Sequence, residues 1–267
     1  MIVHKVNSRS ARIPEKLRAV LQENSPILIA LSGGQDSLVL LAAAKAFRVP
    51  AAAATIVSEF TASEETERAA RFCREMEISW SPIEHRLLDD AAIRSNPVNR
   101  CYLCKRQIMR SLVALAQELG STVCDGTHAD DSPTERPGYA VLRELGICSP
   151  FAVAGMGKAD ILSLAKQLGI PKIPPSSCLA TRIPFGVMLM KENLKKIAGA
   201  ETFLRTRGIA GILRVRLVAD ETVVEVEEWE MQKAAGLLSE LEGLGYSNVC
   251  VAEYAVGGVE RWKQIQQ

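Results

Sequence analysis

A chain of 267 residues, 48% hydrophobic and 24% charged, has the length of about two globular domains and the composition of a water-soluble fold. Its formal net charge of +1 gives no bulk electrostatic reason for it to bind nucleic acid. No apolar run is long enough to span a bilayer and Met1–Arg12 lacks a signal-peptide core, so a cytoplasmic protein is expected. Seven cysteines in a chain this long do not read as a disulfide framework; they read as core residues, metal ligands or reactive thiols.

Residues 12–22 predict a helix, with Pro14 in its first turn and Leu17, Val20 and Leu21 on one face. A short apolar strand follows from Ile27, then the tight turn Ser32-Gly33-Gly34-Gln35-Asp36-Ser37, then a helix to about Phe47. Strand, glycine turn, helix is the geometry of a phosphate site. The glycines admit a close anion, the helix start presents unpaired N–H groups, and Ser32 and Ser37 add hydroxyls. No P-loop lysine follows, which excludes a Walker A motif. The hexapeptide instead resembles the pyrophosphate loop of the PP-loop ATP pyrophosphatases, which cleave ATP between its α- and β-phosphates and adenylate a substrate.

Residues 51–57 predict a second strand, 63–77 a helix burying Ala69, Phe72, Cys73 and Met76, and 78–85 a third strand. Cys101-Tyr102-Leu103-Cys104 opens a helix that runs to Leu119, with Ile108, Leu112, Leu115 and Leu119 as its apolar stripe and Gly120 as its stop. The helix start, Arg100 and Lys105 favour thiolates there, and the pair fits a redox couple, half a zinc site, part of an iron–sulfur site, or two unrelated thiols. Residues 122–125 predict a strand, followed by Gly126-Thr127-His128-Ala129-Asp130-Asp131, in which the two aspartates suit Mg²⁺ or a helix cap. A helix over 158–168 closes at Gly169. Strands alternating with helices imply a parallel sheet with ligands at its carboxyl ends, where residues 32–37, Ser58 and 126–131 would lie.

A proline-rich crossing at 173–178 marks the linker between a domain over 1–175 and a smaller α+β domain over 176–267. The smaller domain reads as a helix (191–207), strands at 211–218 and 222–228, a helix (231–244) and a last strand (249–254). Cys178 lies in a loop of small polar residues beside Arg182, which suits an anionic substrate or a thiolate. Arg214 and Arg216 share one side of a strand by its period of two. Paired guanidinium groups suit phosphate or carboxylate, but the alternation taken alone points to a solvated face. Cys73, Cys124, Cys148 and Cys250 sit on apolar patterns and read as core thiols. His4, His85 and His128 have no metal-ligand spacing.

Together, residues 30–37, 99–105, 125–131 with Arg136-Pro137-Gly138, and 177–186 resemble the LarE family. These are the ATP-dependent sulfur transferases of nickel-pincer nucleotide biosynthesis within the PP-loop superfamily. The resemblance also takes in Ser149-Pro150-Phe151, residues 158–171, and Arg214 and Arg216. It implies an α/β, parallel-sheet PP-loop (HUP, adenine nucleotide α-hydrolase-like) domain. It places ATP on Ala30, Leu31, Ser32, Gly33, Gly34, Asp36, Ser37, Ser58, Gly126 and Thr127, with Mg²⁺. Asp36 and Cys178 would be catalytic, and Arg182, Arg214 and Arg216 would bind the substrate, pyridinium-3,5-biscarboxylic acid mononucleotide. Cys101, Cys104 and Cys178 would hold a [4Fe-4S] cluster, with sulfur supplied through the cluster, from a sulfide donor, or sacrificially from Cys178. A homo-oligomer built through the smaller domain is implied as well. The chain departs from the family pattern at Gln35, His128, Thr181 and Ser132-Pro133-Thr134-Glu135. The rival readings are a PP-loop tRNA thiolation enzyme, an ATP-dependent amide former and a nucleotide sensor. The low charge and the 5% aromatic content weigh against the RNA substrate.

Overall fold

The computed structural model describes residues 14–131, 138–218 and 220–255. In chain order its elements are α1 (Glu15–Glu23), β1 (Ile27–Ala30), α2 (Gln35–Ala46), β2 (Ala51–Ser58), α3 (Ser63–Glu75), β3 (Trp80–His85), α4 (Ala91–Arg94), α5 (Arg100–Glu118), β4 (Thr122–Cys124), α6 (Tyr139–Glu144), α7 (Pro150–Val153), α8 (Lys158–Gln167), α9 (Lys191–Thr206), β5 (Leu213–Val218), β6 (Glu221–Val226), α10 (Met231–Ala235), α11 (Leu238–Gly243) and β7 (Val249–Glu253). The chain divides into two compact units. One comprises residues 1–57, 63–85 and 101–173, and the other residues 58–62, 86–100 and 174–267.

The first unit is built on a parallel four-stranded sheet in the order β3-β2-β1-β4. β1 pairs in parallel with β2, Ile27 opposite Ala51, and with β4, Ile27 opposite Thr122. A central strand covered on both faces reads as unbroken apolar sequence, and Ile27, Leu28 and Ile29 are all fully buried. Ile29 belongs to one core, with Leu38, Leu41, Phe72 and Phe151, and Leu28 to a second, with Leu112, Ala116 and Leu142. The chain lays β2 and β3 on one side of β1 and then crosses to β4 on the other. In a doubly wound sheet the ligand crevice opens where the strand order reverses, at the carboxyl ends, here between β1 and β4.

The buried stripe of α5 is Met109, Leu112 and Ala116, while Leu119, expected in that stripe, is 49% exposed. It lies beyond the last helical residue, next to Gly120 at φ +59°. Residues 132–137, which include Arg136 and Pro137, and the start of the expected 12–22 helix lie outside the described residues.

The second unit carries the three-stranded sheet β5-β6-β7, antiparallel between β5 and β6 and parallel between β6 and β7. Its core joins Leu204, Val215, Val224 and Leu241. The single helix expected over 231–244 is two, α10 and α11, broken at Gly236-Leu237.

Candidate active site

The site of the first unit begins where β1 ends. The Leu31 N–H donates to the Ala54 carbonyl at 2.8 Å, and the Leu31 carbonyl accepts from the Thr55 hydroxyl at 2.7 Å, which fixes the strand end. Gly33 then turns the chain at φ +77°, and a Cβ there would collide with the Glu65 carbonyl, so only glycine fits. Arg68 donates to the Gly33 carbonyl at 2.8 Å from α3. Ser37 donates to the Gly34 carbonyl at 3.0 Å, and the Ser32 and Ser37 hydroxyls lie 3.2 Å apart. The 12-residue helix α2 starts at once, so its positive end and its first N–H groups face the turn. This arrangement can hold a phosphate chain. Asp36, in the first turn of α2, meets the Lys158 ammonium at 2.5 Å, while the Lys158 N–H donates to Asp130 at 2.6 Å.

The loop after β4 closes on the same turn. A Cβ on Gly126 would lie 3.1 Å from the Ser37 nitrogen, so the two backbones approach closely. Asp125 is buried and anchors the loop, accepting from the hydroxyls of Thr127 and Ser149, each at 2.6 Å, with the Lys105 ammonium 3.7 Å away. The His128 N–H donates to Asp131 at 3.0 Å, and its ring lies between Asp131 at 3.7 Å and Asp130 at 3.9 Å. Two buried side-chain polar atoms have no hydrogen-bond partner among the described residues, His128 Nδ1 and Gln35 Nε2. Both belong to positions where the chain departs from the family pattern. Ala30 and Leu31 end the strand beneath the turn. Ser58 is the last residue of β2, and its hydroxyl lies 3.1 Å from that of Thr61.

In the second unit, Cys178 is half-buried and caps a 3-10 turn over Leu179–Arg182. Arg182 is 1% exposed and organises this loop. It clamps Glu201 of α9 at 2.7 and 3.0 Å and donates to the Ser177 carbonyl at 3.0 Å and hydroxyl at 2.8 Å. The alternation along β5 pointed to a solvated face, but Arg214 and Arg216 are both buried. Arg216 binds Glu225 at 2.7 Å and the Thr181 carbonyl at 2.6 Å. Arg214 donates to the carbonyls of Leu213 and Pro175 and has no carboxylate ion pair among the described residues. Burial, and then the neighbouring Arg182, bring its guanidinium down to about 10. Among the described residues these three buried guanidiniums thus have two carboxylate partners, Glu201 and Glu225, a surplus of positive charge that favours an anion.

Cys101 and Cys104 stand one turn apart in the first turn of α5, the former exposed and the latter half-buried. No cysteine is in a disulfide. Among the described residues no three His, Cys, Asp or Glu side chains form a metal-binding group. Cys73 and Cys124 are core thiols as expected, but Cys250, on β7, is exposed. No described helix is long and apolar enough to cross a membrane.

Sequence reasoning did not single out Asp125, Ser149 or Arg68 as site residues. Asp125 closes its strand and reads as ordinary punctuation, and the only signal for Lys158 was its place in the family-like run.

Comparison with known proteins agrees with this geometry. The family model described as NAD synthase matches residues 9–181. A protein of Methanocaldococcus jannaschii with no assigned function is 32% identical over 257 residues, covering 88% of this chain and 94% of its own. One from Synechocystis, also without an assigned function, is 33% identical over 222 residues and 80% of each chain. The pyridinium-3,5-bisthiocarboxylic acid mononucleotide synthase of Lactiplantibacillus plantarum is 30% identical over 217 residues, 79% of this chain and 78% of its own. A family match over most of the chain, a relative aligned along most of both chains and a glycine turn at the sheet's switch point agree, and the chain belongs to the LarE family of the PP-loop superfamily of ATP-dependent enzymes.

Proposed function

We propose that this protein is an ATP-dependent sulfur transferase that converts substrate carboxylates to thiocarboxylates, with pyridinium-3,5-biscarboxylic acid mononucleotide as the substrate. The observation that carries the reading is the turn at Ser32–Ser37 with Lys158 and Gly126 against it, a phosphate cradle without a Walker lysine. Backbone N–H groups of the turn and the Lys158 ammonium hold the β- and γ-phosphates as the leaving group. A carboxylate oxygen of the substrate attacks the α-phosphorus, the Pα–O–Pβ bond breaks, and pyrophosphate leaves from an acyl-adenylate. Preorganised donors then stabilise charge that develops on the transferred group without reorganising. Asp130 and Asp131 offer the oxygen donors that suit Mg²⁺, which when bound offsets phosphate charge.

The Cys178 thiolate attacks the acyl carbon and AMP departs. Elimination across Cα–Cβ of Cys178 then releases the thiocarboxylate, with loss of the Cα proton, and leaves dehydroalanine. The surplus positive charge at Arg214 supports binding of the substrate's phosphate, and Arg182 shapes the cysteine loop. Cys101, Cys104 and Cys178 are the residues that would hold a [4Fe-4S] cluster. Thiolates are the right donor class, and the one-turn spacing on α5 gives two of them a common helix side. When bound, the cluster supplies a transferable sulfide, which spares the cysteine.

The test is to incubate ATP and the dicarboxylate nucleotide with the parent protein and with Cys178→Ser. The parent is expected to form pyrophosphate, AMP and thiocarboxylate, and the variant to form pyrophosphate without thiocarboxylate. Thiocarboxylate formation by Cys178→Ser at the parent rate overturns the role of this cysteine. Absence of substrate-dependent pyrophosphate from the parent overturns the reading as a whole.

A further inference from the structure

Cys124 and Cys148 belong to no step above, yet they face each other directly. Cys148 extends the sheet beyond β4 as a single parallel bridge opposite Cys124. The Cys148 N–H donates to the Val123 carbonyl at 3.0 Å, and its carbonyl accepts from the Asp125 N–H at 2.9 Å. This frame sets the two side chains next to each other on one side of the sheet. Cys124 is fully buried, whereas Cys148 is partly open to solvent.

We propose that Cys148 and Cys124 are a peroxide-sensitive dithiol pair whose disulfide slows ATP use. Neighbouring strands lie about 4.8 Å apart, within the Cα separation of roughly 4.4–6.8 Å that a disulfide spans. Their roles differ in a useful way. The neighbouring Cys124 thiol lowers Cys148 below the ordinary thiol value, against opposing effects of burial, Asp125 and Glu23. Its closeness to Cys148, then burial, raises Cys124 far above it. The accessible sulfur is therefore the better thiolate and the buried one holds its proton, the pattern of an attacking and a resolving cysteine.

With hydrogen peroxide as oxidant, the Cys148 thiolate attacks one peroxide oxygen, the O–O bond breaks, and Cys148 becomes a sulfenic acid while hydroxide leaves. The Cys124 thiol then displaces the sulfenic oxygen, which leaves as water with the Cys124 proton, and the proton that Cys148 gave up on forming its thiolate neutralises the hydroxide. The sum is two thiols and one peroxide giving one disulfide and two waters. A small dithiol returns both electrons and restores the thiols.

The consequence for activity follows from position. Cys124 precedes Asp125 and Cys148 precedes Ser149, and these two neighbours hydrogen-bond at 2.6 Å. A Cβ on Gly126, next in line, would lie 3.1 Å from the Ser37 nitrogen and 3.2 Å from Asp36 Cβ, so this backbone passes close to the head of α2. A covalent tie under this loop restrains the backbone that lines the phosphate turn. This effect rests on the ATP site proposed above; formation of the bond does not.

The experiment treats the purified protein with stoichiometric hydrogen peroxide, maps disulfides by peptide mass spectrometry, and measures substrate-dependent pyrophosphate release before and after. The expected result is a linked Cys124–Cys148 peptide pair, a fall in pyrophosphate release of at least about threefold, and recovery with dithiothreitol. Cys148→Ser is expected to keep its rate after the same treatment; Cys124→Ala serves as a second control if that variant folds poorly. Oxidation confined to other cysteines, with no Cys124–Cys148 link, overturns the proposal. A complete link with unchanged pyrophosphate release overturns the control of ATP use while leaving the ATP reading intact.

Discussion

Lys158 spans two parts of the proposed phosphate site. Its side chain reaches Asp36 on α2 at 2.5 Å, while its backbone, at the start of α8, donates to Asp130. Both charges of the ion pair are partly exposed, with side chains 42% and 28% accessible, so the pair adds little to stability. In the proposed ATP site its value lies in placing a partly exposed ammonium beside the glycine turn, where a polyphosphate can take it over from Asp36. Lys158→Met is therefore expected to lower kcat/KM for ATP by about 100-fold, roughly 2.7 kcal/mol of transition-state stabilisation. The melting temperature should hold within a degree or two, as measured by pyrophosphate release and thermal unfolding on the same preparation. A variant of parent activity would remove Lys158 from the phosphate site.

Strand β5 and helix α9 share a buried ionic layer whose energetics run opposite to those of Lys158. Glu201 accepts from Arg182 at two points and from the Val215 N–H at 2.9 Å, and Arg182 is 1% exposed. Glu201→Gln keeps the shape but leaves a buried guanidinium without its countercharge, which costs about 3 kcal/mol or more. Differential scanning calorimetry should show a melting temperature lower by roughly 6 to 12 °C. Helix α3 carries a pH-dependent term of its own. Burial pushes the Cys73 thiol from 9.0 up to about 12, so the folded chain keeps this proton where the unfolded chain loses it. Its contribution is fully present below pH 9 and disappears as pH rises toward 12. Stability measured across that window should fall more steeply for the parent than for Cys73→Ala.

The same elements explain what could be read in advance. Bounded apolar runs and the 3.6 period located β1, β2, α2, α3 and α9, because burial on known faces imposes those patterns. The glycine turn was legible because a φ of +77° and the closeness of the Glu65 carbonyl leave room for glycine alone at Gly33, and Ser-Gly-Gly between an apolar run and a helix marks such a turn. Leu213-Arg214-Val215-Arg216 was misread in part, since a period of two gives a shared side but not what covers it. The cover is Glu225 from β6 and the 175–182 segment, contacts that no local pattern encodes. Likewise, α4 is four residues long, too short for any periodicity to register.

The division of the chain into units does not follow its linear order, and this has a measurable consequence. The 177–189 segment of the second unit is held by acceptors from much earlier residues. Leu179 N–H donates to Phe60, Gly186 N–H to Asn96 and Leu189 N–H to Arg94, each at 2.9 Å. Asn96, fully buried at φ +55°, also donates to the carbonyls of Pro184 at 2.7 Å and Val187 at 3.0 Å. Arg100, 1% exposed, binds Asn96 and the Ala180 carbonyl and stacks 5.1 Å from the Phe185 ring centroid. By contrast, the core of α9 with β5, β6 and β7 draws all its buried members from residues 200–241. A fragment of residues 174–267 should therefore fold over α9 to β7 and leave the cysteine loop unsupported. Hydrogen exchange followed by NMR should find parent-like protection at Val215 and Val224. The amides of Leu179, Gly186 and Leu189 should exchange at least about 100-fold faster than in the full chain, since each loses its acceptor. Equal protection of those three amides in fragment and parent would mean that the loop is ordered by the C-terminal part alone, and the roles given to Asn96 and Arg100 would fall with it.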